Sequence, residues 1–158
     1  AGVFEEARQA GFHCVAHAGE AAGSDSIRAA LDLLHAERIG HGITAIRDPE
    51  LMEELRRRQI PLEICPTSNI MTRVVEDYEH HPVRPFWQQG LLVTIHSDDP
   101  TMFNSTITNE YQILHDRLGF ELSDIRQLTL NALHASYLCS EEKKRIIQSI
   151  DRFWQSVS

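Results

Sequence analysis

Several classes of protein are excluded by what this 158-residue sequence lacks. No uninterrupted apolar run approaches the roughly 20 residues that a membrane helix needs, so a membrane-spanning protein is not expected. No basic segment followed by an apolar one is present, so no secretory signal is predicted. The three cysteines stand far apart without a Cys-x-x-Cys pair. Neither a disulfide framework nor a thiolate zinc site is therefore expected, and a cytoplasmic location fits.

Positive charge is also scarce, with 15 Lys and Arg against 23 Asp and Glu and a formal net charge of −8. Such a surface repels phosphate backbones and anionic lipid, so neither nucleic acid nor a membrane is expected as a partner. Hydrophobic residues, in contrast, make up 42% of the chain and recur along its whole length. Residues 1–158 are therefore predicted to form one globular domain with a sizeable core.

Four short apolar runs predict buried strands, and each run ends in a polar or glycine-containing cluster. The clusters are His-Ala-Gly-Glu (17–20), Gly-His-Gly (40–42), Cys-Pro-Thr-Ser-Asn (65–69) and Ser-Asp-Asp-Pro (97–100). Helical patterns lie between the runs, and only helical patterns follow the fourth. This alternation predicts a parallel sheet with right-handed crossovers. All four clusters then lie at carboxyl ends of strands, where (β/α)8 barrels keep their active sites.

The first two clusters carry residues that suit catalysis, although each also has a purely structural interpretation. His17 can offer an imidazole nitrogen to zinc, and Glu20 can face the same cavity because Gly19 allows a tight turn. Alternatively, both side chains only cap that turn. His41 can act as a general base or hold a catalytic water, or it can be a satisfied histidine in a glycine-rich turn.

The Ser-Asp-Asp-Pro cluster is the most informative of the four. Asp98 and Asp99 are adjacent carboxylates at the mouth of an apolar strand, where a cation or a hydrogen-bonding ligand would offset their repulsion and their desolvation. One of them can bind a metal while the other contacts a substrate. The alternative is a solvated Asp-Asp-Pro turn.

Other polar residues near the strand ends are given no chemical role. Cys65 lies in an apolar strand with no base specified nearby, so it is interpreted as inert core, with the Thr-Ser-Asn after it capping a loop. His96 is expected to point away from the Asp-Asp cluster. His80 and His81 precede a helix at Pro82 and are interpreted as surface residues.

Taken in this order, the four clusters resemble the adenosine deaminase family in its C-terminal half, from about residue 11 through the last helix. Asp-Pro-Thr-Met-Phe-Asn-Ser-Thr (99–106), followed by Glu110 and Tyr111, is similar to the bacterial type. The resemblance implies a zinc-dependent (β/α)8 TIM barrel, of which this chain supplies about four parallel strands, strands 5–8, and the C-terminal helices. It also implies hydrolysis of adenosine, a small-molecule purine nucleoside, to inosine and ammonia.

The resemblance further implies which residues perform this reaction. His17 and Asp98 would be zinc ligands. Glu20 would protonate purine N1, and His41 would orient or deprotonate the zinc-bound water. A general acid and an ionised carboxylate held in different environments are a recurring arrangement in such sites.

Substrate binding would involve Asp99, through a hydrogen bond to purine N7, together with Gly19. A deaminase of adenine or of another 6-aminopurine nucleoside is an alternative, because it would share the same residues at the strand ends. A non-catalytic barrel remnant that serves as an interaction module is the alternative outside the enzymes.

The sequence departs from the family pattern in one important respect. The family has a His-x-His pair on its first strand, which gives two further zinc ligands, and this sequence contains no His-x-His. Catalytic zinc usually takes three protein ligands, whereas His17 and Asp98 are only two. Four strands would also leave two open sheet edges. We therefore expect a C-terminal half that is inactive and poorly folded when made alone.

Overall fold

The computed structural model describes residues 2–157. Four strands form one parallel sheet in the order β1 (Val15–Ala18), β2 (Arg38–His41), β3 (Leu62–Ile64) and β4 (Val93–Ile95). Because each strand is parallel to its neighbour, each connection must return to the opposite end of the sheet. The structure is thus a partial barrel of four parallel strands with helices, as the sequence predicts.

Helices precede the first strand, cross between the strands and follow the last one. They are α1 (Gly2–Gln9), α2 (Ser24–Leu33), α3 (Pro49–Arg58), α4 (Pro66–Met71), α5 (Val83–Gln88), α6 (Pro100–Phe103), α7 (Ile107–Leu118), α8 (Leu122–Ala135) and α9 (Ser140–Val157), with a 3-10 helix at Ile43–Arg47. The segment after Cys65 is thus the short helix α4, and not the loop that the sequence predicts. Its first residue, Pro66, has the backbone angle that the first turn of a helix needs.

Helix ends follow the capping signals in the sequence at two clear positions. Asp48 precedes Pro49, and its side chain accepts a hydrogen bond of 3.0 Å from the backbone N–H of Leu51 at the start of α3. Gly119 ends α7 in the left-handed conformation, with φ of 68°. These caps determine where α3 begins and where α7 ends.

The core lies between the sheet and the helices that cover it. Its fully buried side chains come from the strands, from the crossover helices and from α8, and they include Ile27, Ile39, Leu51, Leu55, Leu62, Ile64, Phe86 and Leu128. Near-continuous apolar strands of this kind are typical of parallel sheets.

Both outer strands have a strand neighbour on one side only within residues 2–157. β1 and β4 are the two edges of the sheet, as expected of a barrel that is not closed by these four strands. None of the helices in the same part of the chain is long and apolar enough to span a membrane.

Candidate active site

The carboxyl ends of all four strands meet around one cavity of about 180 Å³. Its lining includes His17, Gly40, His41, Glu63, His96 and Asp98. Three of the six site residues predicted from the sequence, His17, His41 and Asp98, are therefore brought together. Glu20 joins them through His41, whereas Gly19 and Asp99 do not line the cavity.

His17 owes its position to the residue opposite it on the next strand. It pairs in the sheet with Gly40, and a Cβ atom at position 40 would lie 2.7 Å from Cδ2 of His17. The missing side chain therefore leaves room for the imidazole over β2. The His17 ring meets the His41 ring edge to face, with the ring centroids 4.9 Å apart.

His41 is almost completely buried, with 2% of its surface exposed, and it has a left-handed backbone with φ of 65°. Gly42 continues the left-handed turn with φ of 69°, so the chain leaves the sheet abruptly. Nδ1 of His41 lies 3.2 Å from Nδ2 of Asn69, and Nε2 lies 3.5 Å from Oε2 of Glu20. Burial lowers the pKa of His41, while the carboxylate of Glu20 acts in the opposite direction.

Glu20 reaches the site because Gly19 turns the chain at the end of β1. Gly19 has φ of 66°, and a Cβ atom there would lie 2.4 Å from Cδ1 of Ile27. The backbone N–H of Gly19 donates a 2.8 Å hydrogen bond to Oγ of Ser26. Gly19 therefore shapes the turn, and its N–H is already used within the protein.

Asp98 and Asp99 differ in the direction of their side chains. Asp98 has a left-handed backbone with φ of 57°, and its Oδ2 accepts a 2.6 Å hydrogen bond from Oγ of Ser68. Asp99 instead begins α6, where its Oδ1 accepts from the backbone N–H of Met102 at 2.9 Å. Both residues are exposed.

The structure corrects the interpretation of His96, which lines the cavity and does not point away from it. Nε2 of His96 lies 2.8 Å from Oγ1 of Thr94, which is on the same face of the strand two residues earlier. Alternation along a strand places residues two apart on the same face. His96 and Asp98 therefore both reach the cavity. Burial lowers the pKa of His96.

Helix α4 holds two of the cavity residues in place through hydrogen bonds, a feature that the sequence did not predict. Ser68 bonds to Asp98, and Asn69, which has no exposed surface, bonds to His41. Glu110 of α7 anchors the same helix, because its Oε2 accepts from the backbone N–H of Thr67 at 3.0 Å. Burial raises the pKa of Glu110. The signal in the sequence was a run of short polar residues directly after a buried strand.

His81 is buried, so its interpretation as a surface residue is wrong. Its exposed fraction is 2%, and its Nε2 lies 3.2 Å from Oδ1 of Asn69. The neighbouring His80 is exposed and pairs with Asp77. Sequence pattern does not distinguish the two, because the loop before α5 turns one side chain inward and the other outward. Burial lowers the pKa of His81 from 6.5 to about 4.

The side chains at the cavity suit a metal ion in their chemistry. Two sets of possible ligands have their ligand atoms within 4.8 Å of one another, namely His17 with Glu20 and His41, and His41 with Cys65 and Asp98. Imidazole nitrogen and carboxylate oxygen are ligands that zinc accepts. Cys65 is less suitable, because burial raises the pKa of its thiol and keeps it protonated.

Comparison with known proteins agrees with the arrangement of these side chains. The family model described as Adenosine deaminase matches residues 1–153. This chain belongs to the adenosine deaminase family. The resemblance of its four strand-end clusters to that family is thereby confirmed.

Relatives within and around the adenosine deaminase family differ in the substrates that they are named for. The chain is 45% identical over 150 residues to an aminodeoxyfutalosine deaminase of Streptomyces coelicolor, covering 95% of this chain and 39% of that protein. It is 41% identical over 143 residues to an adenosine deaminase of Shewanella denitrificans, covering 90% and 43%. It is 37% identical over 154 residues to an adenine deaminase of Cupriavidus necator, covering 98% and 44%.

Solved structures show the same fold. An adenine deaminase from Arthrobacter aurescens superposes with a TM-score of 0.94 at 31% identity, covering 97% of this chain and 47% of that one. A zinc-bound amidohydrolase from Burkholderia ambifaria superposes with a TM-score of 0.90 at 28% identity, covering 98% and 44%. This chain therefore spans less than half the length of the relatives that it matches.

Proposed function

We propose that this chain forms part of a zinc-dependent hydrolase that replaces the 6-amino group of a purine with oxygen and releases ammonia. The observation that carries the proposal is the meeting of His17, His41 and Asp98 around one cavity, with Glu20 against His41. The relatives support the reaction more than the substrate, because all are named deaminases but of different compounds. Adenosine is the substrate that we propose first, with adenine and other 6-aminopurine nucleosides as alternatives.

Zinc would be held by His17 and Asp98, with further ligands from outside these 158 residues. Bound zinc lowers the pKa of a water molecule to about 7 and so makes a nucleophile available at neutral pH. Asp98 suits the role of a metal ligand, because Ser68 donates a hydrogen bond that orients its carboxylate.

Glu20 acts as the proton donor in this proposal. Attack of water at C6 of the purine would place negative charge on the ring, and a proton delivered to N1 prevents this. A carboxylate oxygen of Glu20 lies within 4.8 Å of a ring nitrogen of His17 and of one of His41. His41, which lines the cavity, orients the attacking water.

Asp99 and Gly19 complete the proposed substrate contacts. Purine N7 only accepts hydrogen bonds, so Asp99 has to be protonated when it contacts N7. Its Oδ2 is the atom that donates, since Oδ1 caps α6. Gly19 contributes only through its turn, which brings Glu20 to the site, because its backbone N–H is bonded to Ser26.

The test is ammonia release from adenosine, adenine and aminodeoxyfutalosine by the zinc-loaded full-length protein. At least one of these compounds should be deaminated, and a chelator should abolish the activity until zinc is added back. Glu20→Gln should lower kcat about 100-fold or more. Glu6→Gln, at an exposed glutamate of α1, is the matched control and should leave kcat unchanged.

Two results would contradict the proposal. One is a well-folded, zinc-loaded protein that deaminates none of the three compounds, which would favour the interaction module. The other is full activity in Glu20→Gln. The isolated 158-residue chain should show no activity in the same assay, and activity there would contradict the view that zinc ligands are missing from it.

A further inference from the structure

A buried chain of hydrogen bonds runs from the cavity to a backbone amide 42 residues further along the sequence. It joins His41, Asn69 and His81, which are 2%, 0% and 2% exposed. Nδ1 of His41 lies 3.2 Å from Nδ2 of Asn69, and Oδ1 of Asn69 lies 3.2 Å from Nε2 of His81. The backbone N–H of Val83 donates to Nδ1 of His81 at 3.1 Å.

The direction of every bond in this chain follows from its far end. A backbone N–H can only donate, so Nδ1 of His81 must be without a proton. His81 is neutral at physiological pH because burial lowers its pKa to about 4, so its proton is on Nε2. That proton is donated to Oδ1 of Asn69. The amide group Nδ2 of Asn69 must therefore face His41 and donate to its Nδ1.

We propose that His81 is a positioning residue which, acting through Asn69, keeps the proton of neutral His41 on Nε2. Nε2 is the ring nitrogen on the side of Glu20 and the cavity. What this tautomer means for catalysis rests on the proposed function. In the proposed reaction, His41 presents a hydrogen-bond donor to the attacking water, so it orients that water and does not remove its proton.

Because the three side chains are buried, the alternative orientations of their hydrogen-bonding groups are strongly disfavoured. If the amide of Asn69 were turned over, Nδ2 would face the N–H of His81 and Oδ1 would face the bare Nδ1 of His41. Two donors would then meet at one end and two acceptors at the other, and the buried groups have no water to replace the lost bonds. The opposite tautomer of His41 would likewise leave Nδ2 of Asn69 facing an N–H group.

The test is the tautomer of His41, measured by histidine side-chain ¹⁵N NMR on the full-length protein at neutral pH. In the wild-type protein, Nδ1 of His41 should be without a proton and Nε2 should carry it, in a ratio of about ten to one or more. In Asn69→Asp, a carboxylate that only accepts hydrogen bonds replaces the amide donor. Nδ1 of His41 should then become protonated.

His81 is tested by a pair of variants. His81→Phe removes both hydrogen bonds, so the two tautomers of His41 should mix, and kcat should fall about ten-fold or more with little change in KM. His81→Gln can accept from Val83 and donate to Asn69, so it should restore the tautomer. His80→Phe makes the same change at the exposed neighbour and should have no effect on either measurement.

A proton on Nδ1 of His41 in the wild-type protein would overturn the proposal, as would an unchanged tautomer in Asn69→Asp. If His81→Phe does not fold, the Asn69→Asp spectrum still decides the question. The tautomer is measured without any substrate, so failure of the deaminase assay is distinguishable from failure of this inference.

Discussion

The hydroxyl of Ser68 donates a 2.6 Å hydrogen bond to Oδ2 of Asp98, and this bond joins the first turn of α4 to the segment that follows β4. Ser68 is 1% exposed, whereas Asp98 is exposed and has a left-handed backbone. A buried donor is therefore aimed at a carboxylate that the chain turns toward the cavity. Groups that orient a ligand in this way are a general feature of metal sites.

Removal of this hydroxyl should weaken zinc binding without unfolding the protein. We expect Ser68→Ala to lower zinc affinity about 10- to 100-fold, because Asp98 loses the bond that orients it. Competition with a chromophoric chelator measures the affinity. Ser149→Ala, at an exposed serine of α9, is the control. Unchanged zinc affinity in Ser68→Ala would show that Asp98 is not a ligand or is oriented by other groups.

Two neighbouring glycines should respond differently to alanine. At Gly40 a Cβ atom would press on the ring of His17, an exposed side chain that can move, so we expect Gly40→Ala to reduce zinc affinity more than stability. At Gly42 a Cβ atom would lie 2.8 Å from Cδ2 of the buried Leu62, and φ is 69°. Gly42→Ala should therefore destabilise the fold by about 2 kcal/mol or more.

Zinc titration and urea unfolding of the two variants compare these effects directly. Each glycine variant is the control for the other, since both add one methyl group at the end of β2. If both variants lost the same free energy of unfolding, the ring of His17 would be as unable to move as the buried side chain of Leu62. Normal zinc affinity in Gly40→Ala would remove His17 from the proposed ligands.

Cys65 should be unreactive although it lies at the cavity. The thiol is 5% exposed and burial raises its pKa, so almost no thiolate forms at neutral pH. We expect iodoacetamide to modify the exposed Cys139 and to leave Cys65 unmodified, as measured by mass spectrometry of peptides. Deaminase activity should survive the treatment. Rapid modification of Cys65 with loss of activity would contradict the assignment of this residue to the core.

Much of the fold was predictable because the strands are short apolar runs that each end in polar residues. The parallel order and the meeting of His17, His41 and Asp98 follow from that pattern, since parallel strands bring their carboxyl ends to one edge. The assignment of residues 1–158 to one domain that comprises strands 5–8 of a barrel stays a prediction.

The supporting residues of the site were not predictable in the same way. The periodicity of a strand places residues two apart on one face, so it sets His96 with Asp98 and opposite the adjacent Ser97. The prediction that His96 points away from the cluster followed from Ser97 alone and was wrong. The backbone N–H of His81 donates to the carbonyl of Tyr78 at 3.1 Å, so His81 lies in a turn. The direction in which a turn residue points its side chain depends on tertiary packing.

Burial of His81 should make the stability of the protein depend on pH between 4 and 6.5. Its pKa falls from 6.5 in the unfolded chain to about 4 in the folded one, so between these values the unfolded state binds more protons. Stability from this group is complete above pH 6.5 and is lost as the pH falls toward 4. The loss should reach about 3 kcal/mol.

The pH dependence is isolated by comparing wild-type protein with His81→Gln in urea unfolding at several pH values. The difference in free energy of unfolding between wild type and variant should fall by about 3 kcal/mol between pH 7 and pH 4, because the variant has no group to protonate.

His80→Gln is the control with the opposite sign, since a hydrogen bond to Asp77 raises the pKa of His80. Protonation of His80 therefore favours the folded state as the pH falls. A wild-type advantage over His81→Gln that stays constant from pH 7 to pH 4 would mean that folding does not lower the pKa of His81. That result would also remove the reason for its proton to stay on Nε2.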